Sequence, residues 1–148
     1  MALLLVTATS CKSKMKGTPE QAFGKQKYYT TVSEGPQSNI ETNEVRVIAN
    51  GEELQKMYAK INSTRKPGIE VPEVDWKNQT VIAAFAGRKS TAGYSIDIYQ
   101  VRDRKKERIY KFAQTAPNRG TDVVSMVITT PYMIVLVNND NKKITASF

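Results

Sequence analysis

The run Val81-Ile82-Ala83-Ala84-Phe85-Ala86 has no polar residue at any position. A strand points successive side chains to opposite faces, so a run that is apolar throughout is covered on both. The run therefore predicts the central strand of a sheet. Two further segments carry a clear period. Glu44-Val45-Arg46-Val47-Ile48 alternates like a half-buried strand. Asn50 then opens a helix: its side chain can accept from a free backbone N–H, and Glu53 follows at capping-box spacing. Leu54, Met57, Tyr58 and Ile61 fall at i, i+3, i+4 and i+7, one face of that helix. Isolated helices shorter than about 12–15 residues are marginal in water, so this face is expected to pack on a sheet.

The remaining elements are weaker in pattern. Tyr28-Tyr29-Thr30-Thr31-Val32 has strand propensity, and residues 33–42, with Gly35-Pro36, read as a loop. Lys66-Pro67-Gly68 and Val71-Pro72 mark an irregular connection. Tyr94, Ile96 and Ile98 alternate with Ser95 and Asp97, which predicts a strand wet on one face. Residues 108–115, 122–129 and 133–137 read as strands, the last two flanking Thr130-Pro131. Asn138-Asn139-Asp140-Asn141 is a turn by composition, and Ile144, Ala146 and Phe148 alternate in a closing strand. The expected fold class is α+β and mostly β, with antiparallel sheets in a sandwich or partial barrel and one short helix packed on a sheet.

The chain has 148 residues, enough for one domain and a tail, and a formal net charge of +8. Such an excess raises nucleic acid, an anionic membrane surface or an acidic protein as partners. Much of it sits in Lys12, Lys14, Lys16, Lys25 and Lys27 of the first segment, opposed there by Glu20. A second cluster, Arg102, Arg104, Lys105, Lys106, Arg108 and Lys111, reads as a solvated turn between strands. The aromatics are not interleaved with these basic residues as a stacking platform requires, so nucleic acid is disfavoured.

Histidine is absent and there is one cysteine. That removes Ser-His-Asp and Cys-His catalysis, His-ligated zinc, a cysteine metal cluster and an intrachain disulfide. Carboxylates are left as acid–base groups. Glu70, Glu73 and Asp75 cluster before Trp76, but nothing in their spacing fixes the separation of about 5–9 Å that a glycosidase pair needs. Asn138-Asn139-Asp140-Asn141 lacks the spaced ligands of an EF-hand, and residues 87–93 lack Walker spacing. No catalytic residue, metal site or cofactor site is expected, and the chain is not read as an enzyme.

Residues 1–10 run from the short apolar Leu3-Leu4-Leu5-Val6 to small residues, followed by Cys11 and the polar Lys12-Ser13-Lys14. This resembles a bacterial lipoprotein signal, truncated here, in which the cysteine becomes the lipidated N-terminus. No Lys or Arg precedes the apolar run, which is shorter than the roughly 7–15 residues of a secretory core, so the true start is expected upstream. The competing reading is a disordered cytosolic N-terminus with an incidental cysteine. On the first reading Cys11 is the lipidation site, residues 11–27 form a flexible basic tether, and residues 28–148 form a single domain. No stretch reaches the about 20 apolar residues of a spanning helix. With a bacterial signal, the triplets Asn62-Ser63-Thr64 and Asn78-Gln79-Thr80 are chance matches to a glycan acceptor.

After the apolar run comes Gly87-Arg88-Lys89-Ser90-Thr91-Ala92-Gly93-Tyr94-Ser95-Ile96-Asp97-Ile98. Gly93 can take positive φ, Thr91 can hydrogen-bond the local backbone, Arg88 and Lys89 add positive groups, and Tyr94 can show its hydroxyl at the rim. From this chemistry alone the stretch is a plain connection between strands or a binding loop.

This segment, the helix at residues 51–61, Val74-Asp75-Trp76, Pro117 and Thr130-Pro131-Tyr132-Met133-Ile134-Val135 together resemble the C-terminal domain of the PrcB-type protease-complex subunit family. That family occurs in bacterial secreted and lipid-anchored proteins. The resemblance covers about residues 45–148, with Ala92 standing where the family has the first of two glycines. The turn Thr91-Ala92-Gly93-Tyr94 is also similar to the Thr-Thr-Gly-Tyr loop of chagasin-type cysteine-protease inhibitors. The resemblance implies a non-catalytic domain that associates with an envelope protease or its complex. The expected contact residues are Arg88, Lys89, Thr91, Gly93, Tyr94, Pro131 and Tyr132. The expected location is the bacterial cell envelope, lipid-anchored and facing the periplasm or cell exterior. The alternative is a small-ligand or glycan-binding lipoprotein.

Overall fold

The computed structural model describes residues 28–118, 120–122 and 124–148. The expected leader at residues 1–10, the expected lipidation site Cys11 and the expected tether at residues 11–27 lie outside the described residues. In chain order the elements are β1 (Thr30–Gly35), β2 (Asn43–Ile48), α1 (Gly51–Ile61) with a one-turn 3₁₀ extension (Asn62–Thr64), β3 (Gln79–Ala86), β4 (Ser95–Asp103), β5 (Glu107–Thr115), β6 (Tyr132–Asn138) and β7 (Lys143–Ser147).

The apolar run lies in β3, and residues 81–86 are at most 1% exposed. β3 lies between β6 and β2 in an antiparallel sheet of order β1-β6-β3-β2. Its alternation splits it between two cores. Val81, Ala83 and Phe85 pack with Ile48, Tyr132, Ile134 and the apolar face of α1. Ile82, Ala84 and Ala86 pack with Ile96, Ile98, Tyr110 and Phe112 of a second sheet, of order β4-β5-β7. The result is three layers: helix, four-stranded sheet, three-stranded sheet. The mostly-β, α+β class with one helix packed on a sheet is the architecture found, as an open sandwich and not a closed barrel.

α1 forms as its sequence requires. The Asn50 side-chain oxygen accepts from the Glu53 N–H at 2.9 Å, and Leu54, Met57, Tyr58 and Ile61 are buried. Its C-terminal end is held from outside the helix. Asn39, at a φ of 60°, donates from its carboxamide to the carbonyls of Lys60 and Ile61 at 3.3 and 3.0 Å. Asn62 is also engaged: its carboxamide donates to the Ile69 carbonyl at 2.9 Å and accepts from the Ile69 N–H at 2.8 Å.

Four expectations differ in detail. β1 begins at Thr30 and runs through Gly35, so part of the expected loop is strand. Tyr28 and Tyr29 lie ahead of it and pack on the second core, where the Tyr110 hydroxyl donates to the Tyr28 carbonyl at 2.7 Å. β7 lies parallel to β5, whereas the other strand pairs are antiparallel. Residues 122–129 are not a strand: the described part meets the loop only at isolated points, and it turns where the Val127 N–H donates to the Ser125 carbonyl at 2.9 Å.

The fourth difference is Arg108, which is not solvated but 5% exposed. It donates from Nε to Asp103 at 3.0 Å, from Nη1 to the Asn138 carbonyl at 2.8 Å and from Nη2 to Asp140 at 2.8 Å. Its guanidinium also lies 5.1 Å from the Tyr28 ring centre. Burial pulls its pKa down, but the hydrogen bonds it donates to Asp103 and Asp140 outweigh that and raise it. The side chain ties the β4–β5 hairpin to the β6–β7 turn, so removing it takes this donor from Asp140 and the Asn138 carbonyl and leaves Asp103 with Lys142. Arg108→Ala is expected to cost roughly 2–3 kcal/mol in urea unfolding, against under about 0.5 for the exposed Arg102→Ala.

Asp103 also ionises below its ordinary value of 3.8, chiefly through the hydrogen bond from Lys142 and then that from Arg108. A depressed carboxylate contributes stability that is fully present above that ordinary value and is lost as pH falls through the folded one. The urea midpoint is therefore expected to drop below about pH 4, and to drop less in Asp103→Asn.

Candidate functional site

At Ala86 the chain leaves the sheet through Gly87, whose φ is 73°. A Cβ there would meet the Glu41 carbonyl oxygen at 3.0 Å, so the turn hugs the start of β2. The Arg88 N–H donates to that same carbonyl at 3.1 Å. Beyond it the loop is fastened to residues 124–130. Lys89 and Thr129 exchange backbone hydrogen bonds at 2.8 and 3.0 Å, and the Ala92 N–H donates to the Ser125 carbonyl at 3.0 Å. The Thr129 hydroxyl donates to the Thr91 carbonyl at 2.9 Å. Thr91 thus serves through its main chain.

Gly93 has a φ of 88°, and a Cβ there would stand 2.9 Å from the Pro117 Cβ. Ala92 is not among the positive-φ residues, so the alanine fits its backbone without strain.

The base of the loop is anchored in turn. The Thr130 hydroxyl oxygen accepts from the N–H groups of Ser38 and Asn39 at 2.9 and 3.0 Å, and the Ala86 N–H donates to the Pro131 carbonyl at 2.9 Å. Thr130, at 3% exposed, is therefore a structural pin joining the β1–β2 connection to the strand that follows the loop.

Each expected contact residue has a definite place. Arg88 is exposed, and Lys89 is half-buried with its ammonium 5.2 Å from the Tyr94 ring centre. Thr91 and Tyr94 are half-buried and Gly93 is exposed. Pro131 and Tyr132 are buried, and the Tyr132 and Ser33 hydroxyls hydrogen-bond at 3.0 Å. Tyr94, Pro131 and Tyr132 come together in the lining of one cleft of about 290 Å³. Arg88, Lys89, Thr91 and Gly93 do not line it.

Sequence reasoning missed two parts of this region. Glu34, Gly35, Pro36 and Asp97 complete the cleft, bringing two carboxylates and no basic residue. The signal for Glu34 was hidden because Gly35-Pro36 reads as the middle of a loop. The second part is an apolar strip beside the loop: Met126, Val127 and Ile128 are 83%, 49% and 51% exposed. Three consecutive apolar residues read as a buried strand, and no local signal distinguishes the two outcomes.

Ionisation near the cleft is ordinary in direction. Burial raises the Tyr29 pKa, and the negative charge of Asp97 raises it further. Farther off, between α1 and the first sheet, burial pushes Tyr58 up to about 12, and its hydroxyl has no hydrogen-bond partner among the described residues.

Residues 80–138 match the family model described as PrcB C-terminal. The match runs from β3 through β6 and contains the loop, the apolar strip and the residues that β4 gives the cleft. It is shorter than the span of resemblance read from the sequence, leaving out β2, α1 and β7. No curated protein and no solved structure matches the chain.

The geometry separates the two small residues of the turn. Gly93→Ala is expected to cost about 1–3 kcal/mol, since it adds a Cβ at positive φ against Pro117. Ala92→Gly is expected to cost under about 1 kcal/mol, through the unfolded chain alone. Urea unfolding of both variants checks the contrast.

Proposed function

Since residues 80–138 carry the PrcB C-terminal domain, we propose that this chain is a non-catalytic, lipid-anchored protein of the bacterial envelope. It binds a protein partner, an envelope protease or protease complex, and the loop at residues 88–94 forms part of the contact.

One observation carries the reading. The loop and the apolar strip are locked together by backbone hydrogen bonds at Lys89, Ala92, Ser125 and Thr129. They present one pre-organised face, with Arg88 exposed beside Met126, Val127 and Ile128. Consecutive exposed apolar side chains rimmed by polar groups favour a protein contact, and methionine and arginine are enriched in such contacts. A face already fixed before binding loses little conformational freedom on association. The family of residues 80–138 and the lipoprotein-like sequence around Cys11 support the envelope setting and the protease as partner.

Two measurements test the reading. Immobilised chain is expected to recover a specific envelope protease from a detergent extract. The pairs Thr91→Ala with Tyr94→Ala, and Met126→Ser with Ile128→Ser, are each expected to cut that recovery about tenfold or more, with unfolding midpoints close to wild type. Equal recovery by wild type and both variants removes the face from the contact. For the anchor, Cys11→Ser is expected to abolish incorporation of labelled fatty acid and to release the chain from the membrane fraction. Unchanged labelling excludes Cys11 as the lipidation site.

A further inference from the structure

The cleft lies at a seam between the two sheets. β1 ends the first sheet and β4 ends the second, and each has one edge that pairs with no strand among the described residues. Both strands line the cleft, through Glu34 and Gly35 on one side and Asp97 on the other. The irregular part of each edge lies elsewhere. β1 is bulged between Thr31 and Ser33, and β4 between Ile98 and Gln100. Bulges blunt an edge against pairing, so the halves that border the cleft are the regular, receptive ones.

The charge of the cleft opposes that of the chain. The net charge is +8, yet the lining holds two carboxylates and no lysine or arginine. Four other carboxylates of the domain are held in ion pairs: Glu44 with Arg46, Glu52 with Lys56, and Asp103 and Asp140 with Arg108. Among the described residues no ion pair reaches Glu34 or Asp97. The volume of about 290 Å³ lies just under the roughly 300–1,000 Å³ of small-molecule pockets, which suits one long side chain. Tyr94 and Pro131 add apolar wall for the stem of such a chain, leaving its charged end to the carboxylates.

We infer that this cleft seats a lysine or arginine side chain from an extended segment of the protein partner, which lies along the seam between the free edges of β1 and β4. The inference rests on the reading of the chain as a protein-binding domain and names the chemistry of the segment bound. An extended segment at a sheet edge gains main-chain hydrogen bonds, and one pocketed side chain sets its specificity. Glu34 and Asp97, one from each sheet, supply that specificity by charge.

The test uses the full chain and capped peptides of sequence Thr-Val-X-Val-Thr, with X as lysine, arginine, norleucine or glutamate, followed in the amide NMR spectrum at low salt. The lysine and arginine peptides are expected to move the amides of Glu34, Gly35, Ser95 and Asp97. The glutamate peptide is expected to leave them in place. The double variant Glu34→Gln with Asp97→Asn is expected to weaken the lysine peptide about tenfold or more. Both carboxylates are exposed, so the variant should keep the wild-type spectrum elsewhere, which the same data check. Norleucine binding as well as lysine, unchanged binding by the double variant, shifts confined to residues 126–128, or no shifts at all would each overturn the inference. So would a double variant that captures the partner as well as wild type does, and that result leaves the face of loop and apolar strip intact. Loss of capture in the loop variants, with the lysine peptide inert, likewise sinks the cleft alone.

Discussion

A strand with no wet face needs a covering layer on each side, and β3 is such a strand from Val81 to Ala86. Its odd-numbered side chains commit α1 to the first sheet, and its even-numbered ones commit the β4-β5-β7 sheet to the other side. Neither cover is independent of the strand it covers. α1 has 11 residues and sits at the length where isolated helices melt. A three-stranded sheet likewise needs a hydrophobic face to bury. Two of the β3 alanines, Ala84 and Ala86, face the second core, where their small side chains leave room for Phe112, Tyr110 and Met133. The position of the loop at residues 87–94 follows from the same constraint. A central strand can leave its sheet only at the rim, and Gly87 makes that exit as a tight turn against Glu41 and Asn43.

Where one period settles both type and face, the sequence was a sufficient guide. The period of 3.6 in Leu54, Met57, Tyr58 and Ile61 and the unbroken apolar run of β3 each allowed one outcome, and each is realised. Pairing partners were not legible, because alternation in Ile144 and Ala146 tells which face is wet and not which strand lies alongside. The parallel β5–β7 pair is thus a tertiary fact. Arg108 is a different kind of miss. It sits two and four residues before Tyr110 and Phe112, on the buried side of the same alternation. Its charge suggested solvent, and its acceptors at Asp103, Asn138 and Asp140 are five to 32 residues away in sequence. A buried guanidinium is tolerable only with those acceptors in place, and nothing local announces them.

The region of the candidate site divides along the same line. Gly93 was legible because a positive φ is a local demand, and Tyr94 because it begins an alternating strand. The apolar strip was not. Residues 122–129 have strand propensity, but their partner is the loop at residues 89–92, which offers isolated hydrogen bonds and no continuous ladder. Propensity then forms no sheet, and the apolar side chains of Met126, Val127 and Ile128 stay in water. The cleft was invisible for a simpler reason: Glu34 and Asp97 come from different sheets, and only the stacking of those sheets brings them to one place.

Net charge alone points to a polyanion as partner, and the local arrangement argues against one. Interactions between exposed charges fade beyond a Debye length of about 8–10 Å, so a contact responds to the groups nearest it. Near the loop those are Arg88 and Lys89, and in the cleft they are Glu34 and Asp97. Tyr94 joins the two regions, with the Lys89 ammonium 5.2 Å from its ring centre while the tyrosine itself lines the cleft. Under the proposed reading, a surface of mixed sign favours a protein partner whose own charges alternate to match, with an acidic or neutral patch over the loop and a basic side chain at the cleft. Such a pattern would also fix which way round that partner lies, the loop and apolar strip supplying contact area and the two signs of charge supplying orientation.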